Sequence, residues 1–244
     1  AKNKGYNVLL MDGQLDVALI SMLEQKFEKS RFTRVDSDTV DRLIVKEEPK
    51  ETALEAEKRG ILSSVFRSQL PQIEKVEFHV EAQSLGETAN PILITQSEYM
   101  RRMKEMANIQ AGMSFYGEMP NMFNLVVNVD HRLIKEVLND SEQKCNTVLA
   151  PIDEEIQTLE KRHEELHKSK EGKKEEEIPT AEKDELNEVE KKIADRKSDK
   201  EAVLSEYAAK NKMIRQLVDL ALLQNNMLRG EALNNFIKRS LELI

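Results

Sequence analysis

Two stretches carry residue types whose spacing could do chemistry. The first is HEELH, residues 163–167, with two histidines four apart and a glutamate directly after the first. On a helix, His163 and His167 share one face and could hold zinc while Glu164 acts as base, the pattern of zinc proteases. Hydrolytic zinc also needs a protected cleft that shapes the metal's open position. Here the flanks are EKR before and KSKEGKKEEE after, all solvated, and the surrounding carboxylates single out no third ligand. HEELH therefore reads as a charged helix face, with a zinc hydrolase kept only as an alternative function.

The second stretch is EYMRRMKEMANIQAGM, residues 98–113. Met100, Met103 and Met106 recur every three residues, so they form one helical stripe opposite Arg101, Arg102, Lys104 and Glu105. Met113, Phe115, Tyr116, Met119, Met122 and Phe123 follow in a glycine-punctuated segment. Two readings stand side by side. The stripe fills a core, or it forms an exposed surface whose flexible thioethers adapt to differently shaped partners.

Other chemistry is not signalled. No phosphate-binding or dinucleotide glycine pattern occurs. His79 and His131 are isolated, and Cys145 has no histidine partner in sequence. No catalytic, cofactor-binding or metal-binding residue is expected. The single cysteine excludes an internal disulfide and fits a reducing compartment. No apolar run approaches the ~20 residues of a membrane span, and no signal-peptide pattern opens the chain. The net charge of −8 is concentrated in residues 139–211, which hold 14 Lys/Arg against 21 Asp/Glu. No basic surface for a nucleic-acid backbone is evident. Neither membrane nor nucleic acid is an expected partner.

These residues must be positioned by a helix-rich chain, with 34% charged residues and little glycine or proline. NVLLM (7–11) and FTRVD (32–36) read as strands around a helix at 16–27. A polar linker, KEEPKE (46–51), precedes a helix over 51–69. KVEFHVEA (75–82) alternates apolar Val76, Phe78 and Val80 with polar Glu77, His79 and Glu81, a half-buried strand. PILIT (91–95) and NLVVNV (124–129) are further strands. Thr95 and Glu98 form a capping box for the methionine helix, and HRLIKEVL (131–138) returns to helix.

Residues 139–211 then change character. Leu149, Ile152, Ile156, Leu159, His163 and Leu166 follow alternating steps of three and four, as do Leu186, Val189, Ile193, Arg196, Lys200 and Val203. Both are heptad seams, so an antiparallel helical hairpin with a charged tip is expected. The chain ends in two apolar-faced helices. Ile214, Leu217, Val218, Ala221, Leu222 and Leu228 line the first, with Gly230 as its expected C-terminal cap. Leu233, Phe236, Ile237, Leu241 and Ile244 line the second. Such a pair either folds back onto the body or meets a copy of itself.

Taken in order, VLLMDGQLD, ITQSEYMRRMKEM, NLVVNVDHRLIKEVL and VDLALLQNNMLRGEALNNFIKRSLELI resemble the C-terminal part of the 90-kDa heat-shock protein chaperones, most of all the bacterial high-temperature protein G type. The resemblance covers residues 1–138 and 212–244. It implies an α+β fold. Residues 1–46 correspond to the end of an α/β middle domain. Residues 47–138 and 212–244 correspond to a small mixed sheet with helices and a C-terminal helical dimerisation bundle. The coiled-coil hairpin at 139–211 is an insertion that the family pattern does not explain.

The resemblance further implies a homodimer interface at Leu217, Val218, Ala221, Leu222, Leu228, Leu233, Phe236, Ile237 and Leu241. It places a client-binding surface for unfolded proteins at Met100, Met103 and Met106, extended to Met113, Phe115 and Tyr116. Ala18 stands where bacterial relatives can carry an aromatic client contact. The ATPase machinery, with ATP and magnesium, belongs to parts of the parent outside this chain, so the segment itself is expected not to be an enzyme. The ending LELI, with neither an acidic co-chaperone tail nor a retention signal, points to a bacterial cytoplasmic stress-response chaperone. A structural coiled-coil interaction protein is the other alternative.

Overall fold

The computed structural model describes residues 5–13, 15–38, 54–107, 119–170 and 179–242. Among these residues the chain is mixed α+β, with seven helices and one three-stranded sheet. The helices are α1 (Asp16–Lys26), α2 (Ala56–Arg67), α3 (Glu98–Ala107), α4 (Arg132–Lys170), α5 (Thr180–Lys210), α6 (Lys212–Gln224) and α7 (Gly230–Glu242). The strands are β1 (Val76–Gln83), β2 (Ile92–Gln96) and β3 (Asn121–Asn128).

Strand β3 lies in the middle of the sheet, in the order β1-β3-β2. It pairs in parallel with β1, Val76 opposite Asn121 and Gln83 opposite Asn128. It pairs antiparallel with β2, Ile92 opposite Val127. A strand covered on both faces reads as a continuous apolar run rather than an alternation. Leu125, Val126 and Val127 are accordingly all fully buried. The sheet packs against α2 through Leu62, Val65 and Phe66, and against the start of α4 through Ile134 and Val137. The same core takes in Leu204 and Ala208 of α5 and Ile214, Val218 and Leu222 of α6.

The turn between β3 and α4 is held by side chains. Asn128, wholly buried, donates through Nδ2 to the Gly86 carbonyl at 2.9 Å. Its Oδ1 accepts from the Leu85 and Asp130 amides, each at 3.2 Å. His131 Nδ1 accepts from the Leu133 amide at 3.2 Å, satisfying one of the exposed donors at the start of α4.

Helix α4 then runs 39 residues without a break, carrying Pro151 inside it. The boundary expected at 138/139 falls within this helix. Proline removes one backbone donor and crowds the preceding turn, yet the helix continues, with α5 packed alongside. Tyr207 meets Val137 and Asp140. Lys200 meets Asp153, and Lys197 meets Glu160 at 2.8 Å. Arg162 meets Glu185 at 2.6 Å. Rising numbers on α4 thus meet falling numbers on α5, so the two helices are antiparallel. Leu149, Ile156, Leu166 and Val189 of the heptad seams are buried between them. Arg196 lies outside the seam, paired with Glu155 and Asp199.

Three expectations need correction. Residues 7–11 and 32–36 form no strand among the described residues. A strand exists only where a neighbour supplies its ladder, and the main chain of Phe32 is satisfied otherwise. Its amide donates to the Glu24 carboxylate at 2.7 Å, and its carbonyl accepts from Arg102. Helix α2 begins at Ala56 rather than at 51. Gly230 does not cap α6, which ends at Gln224. Asn226 takes the left-handed conformation after that helix, while Gly230, also left-handed, opens α7. Asparagine is the side chain that best tolerates this backbone region after glycine.

Candidate functional site

Helix α3 presents the methionine stripe. Its charged residues do the anchoring. Arg102 pairs with Glu24 of α1 at 2.7 Å, Lys104 donates to Asn121 of β3 at 2.9 Å, and Arg101 pairs along the helix with Glu105. Burial pushes the Glu24 carboxyl up, but the Arg102 hydrogen bond, the Phe32 amide and nearby guanidinium charge outweigh it. The net effect holds Glu24 below the usual carboxylate range. Burial, with the Lys75 charge, pushes Lys104 down.

With the polar face engaged in docking, Met100, Met103 and Met106 are half-buried, neither sealed in the core nor fully in water. Tyr99 of α3 and Met122 of β3 are exposed. Met113, Phe115 and Tyr116 lie outside the described residues, as does the Glu98 side chain. The expected capping box is corrected, because Thr95 belongs to β2, paired with Asn124, and its buried hydroxyl caps no described amide. Ala18 is exposed on α1.

The two terminal helices behave differently from each other. Asn211 caps α6, its side chain accepting from the Met213 and Ile214 amides at 3.0 and 3.4 Å. The apolar face of α6 turns inward. Leu217, Val218, Ala221 and Leu222, together with Leu228 in the following loop, are each no more than 6% exposed within the single chain. Five of the nine residues expected at a dimer interface therefore sit in the chain's own core.

Helix α7 contains no buried residue. Leu233 and Phe236 rest half-buried against the core, while Ile237 is 47% exposed and Leu241 68%. Polar contacts fasten α7 to α6. Arg239 meets the buried carboxylate of Asp219, which Arg215 also approaches at 3.4 Å. Gln216 donates to Ser240 at 2.6 Å, and Lys212 pairs with Glu242 at 2.7 Å. Leu220 of α6 is likewise exposed, at 39%. Sequence reading misses Leu220 because it lies off the stripe formed by positions 214, 217, 218, 221 and 222.

In the HEELH segment, the histidine rings of His163 and His167 stand 4.6 Å apart. Glu190 of α5 reaches them across the helix pair, its Oε1 3.1 Å from His163 Nε2. A hydrolytic arrangement is not supported. Glu164, the residue at the base position, pairs with Lys168 at 2.6 Å on an exposed surface, rather than facing a closed cleft. No helix among the described residues is long and apolar enough to cross a membrane.

Comparison with known proteins gives a consistent result. The chain is 68% identical over its whole length to a chaperone protein HtpG of Bacteroides fragilis and 66% identical to that of Bacteroides thetaiotaomicron. It is 46% identical over 246 residues to the chaperone protein HtpG of Porphyromonas gingivalis. All 244 residues align in each case, and they span 36% of the length of these relatives, in the C-terminal portion. No family model matches the chain, and no solved structure matches it.

Proposed function

The chain belongs to the 90-kDa heat-shock protein family of chaperones, high-temperature protein G type, and from that premise we propose that it is the pairing and client-handling region of an ATP-dependent molecular chaperone. The observation that carries this reading is the 68% identity with a chaperone over the whole chain. The parent protein assists the folding of unfolded proteins under stress in the bacterial cytoplasm. ATP and magnesium act in the parent outside this segment, which serves as a dimerising and binding module.

Pairing is supported by the exposed apolar side chains Ile237 and Leu241 of α7 and Leu220 of α6, with Leu233 and Phe236 only half-buried. A second copy covers these side chains, and the polar contacts of Arg239, Ser240 and Glu242 to α6 hold α7 in place. An interface of standard size buries roughly 1,600 Å² in total. Two copies held together raise the effective concentration of one protomer's client-facing surfaces for the other's. Client binding is supported by the half-buried stripe of Met100, Met103 and Met106; the family resemblance adds Met113, Phe115 and Tyr116 to this proposed surface.

In this reading residues 1–46 close a middle domain, and residues 47–138 with 212–244 form the dimerisation domain. The pair α4–α5 forms a coiled-coil arm over 139–211. Light scattering on the purified chain at micromolar concentration tests the assignment: a mass of two chains is expected, and a monomer mass refutes it.

A further inference from the structure

We infer that His163, His167 and Glu190 form a binding site for one divalent transition-metal cation of the zinc type, which clips α4 to α5. One nitrogen from each histidine and one carboxylate oxygen of Glu190 all lie within 4.8 Å of one another. Two imidazoles and a carboxylate suit zinc, which binds nitrogen and carboxylate oxygen at about 2.0–2.2 Å and keeps a fourth position for water. Tetrahedral bonds of that length set ligand atoms about 3.4 Å apart. Small rotations of side chains that are half-buried (His163) or exposed (His167 and Glu190) close the remaining distance. Magnesium and calcium, which take oxygen ligands, fit this donor set poorly.

The charge pattern around the site singles these residues out. Glu160, Glu164, Glu185 and Glu188 each pair with a lysine or arginine. Glu190 has no such partner among the described residues; its carboxylate meets the His163 imidazole alone. An ordinary histidine–glutamate pair would need only one imidazole. The second, His167, stands one helical turn further along α4 with its ring on His163 and no hydrogen bond of its own among the described residues. Cation binding accounts for both histidines and for the acidic residue that faces them from the other helix. The role is structural rather than hydrolytic, because Glu164 is engaged by Lys168. Since the ligands come from both helices, binding free energy adds directly to the stability of the paired state.

The test is titration of the chelator-treated full chain with zinc chloride by calorimetry, with far-UV circular dichroism as the control for fold. One zinc per chain is expected. Losing an outer-shell partner of a metal ligand typically costs about 10–100-fold in affinity, so losing a ligand itself in His163→Ala, His167→Ala or Glu190→Ala costs at least about tenfold. Zinc should also slow amide exchange near 163–167 and near 190 together. Absence of saturable binding overturns the site, as does stoichiometric binding unchanged in the histidine variants. Binding that needs both histidines but is indifferent to Glu190→Ala overturns the clip between helices. His167 is exposed, so His167→Ala keeps its helices and the comparison stays interpretable.

Discussion

Arg102 on α3 reaches Glu24 on α1 across 78 positions of sequence, guanidinium to carboxylate at 2.7 Å. The same arginine takes the Phe32 carbonyl, and the same glutamate takes the Phe32 amide. One ion pair thus fixes both the helix that carries the methionine stripe and the chain that follows α1.

Breaking this pair should loosen α3 without unfolding the sheet. The two side chains are 17% and 23% exposed, so the pair lies between a surface ion pair and a buried charged hydrogen bond. A double-mutant cycle with Arg102→Ala and Glu24→Gln should give a coupling of about 1–2 kcal/mol. The readout is faster amide exchange in α3 with that of β3 unchanged.

The same contact makes α3 acid-sensitive. The folded state holds Glu24 below its ordinary range, so its contribution is complete above the unfolded pKa and is lost as pH falls through the folded value. The protection factors of α3 amides, with the intrinsic pH dependence of exchange divided out, should therefore fall on the acid side of the usual carboxylate range while remaining flat between pH 6 and 8. Glu24→Gln should remove that acid step.

The proposed pairing can be tested apart from folding in the terminal helices. Leu222 is wholly buried in its own chain, so Leu222→Ala should cost about 2–5 kcal/mol of stability. Ile237→Glu and Leu241→Glu alter exposed positions. They should leave the melting temperature within about 2 °C at concentrations where the chain is monomeric, while halving the mass in light scattering at micromolar concentration. A dimer that survives both charges would place the interface elsewhere.

Replacing Met100, Met103 and Met106 together by serine should weaken suppression of client aggregation several-fold. Because all three are half-buried, the melting temperature should fall by less than about 3 °C. A fall above roughly 10 °C would identify the stripe as core packing.

Asn128→Ala should be costly although it changes one small polar side chain. Its amide is buried and holds the Gly86 carbonyl and the Leu85 and Asp130 amides. Leaving these groups unpaired should cost about 2–4 kcal/mol, read as a fall of roughly 5–10 °C in melting temperature.

Local patterns carry much of this architecture. The alternation of Val76, Phe78 and Val80 with polar neighbours places β1 within one residue, because side chains alternate faces strictly along a strand. The heptad steps at 149–166 fall inside α4, and Leu149, Ile156 and Leu166 among them are buried. What escapes the sequence depends on distant partners. Residues 7–11 have a strand-like composition, but no neighbouring ladder among the described residues makes them a strand. The apolar face of α6 reads alike whether it meets its own sheet or another molecule, and only the folded chain shows it turned inward. Leu220 and Ile237 become conspicuous once that face is filled. Glu190 lies 27 positions from His163 among many carboxylates, so no spacing rule selects it. The family resemblance stands on firmer ground, since four ordered segments can match where no single motif would.

Helix α4 begins at a turn locked to the central strand and continues for 39 residues without interruption, a rod of roughly 58 Å at 1.5 Å per residue. With α5 splinted along it, the far end is geared to the sheet like the needle of a dial. A rotation of the body by about 10° sweeps that end through roughly 10 Å, so a label near Ser169 would magnify rearrangements too small to detect at the hub.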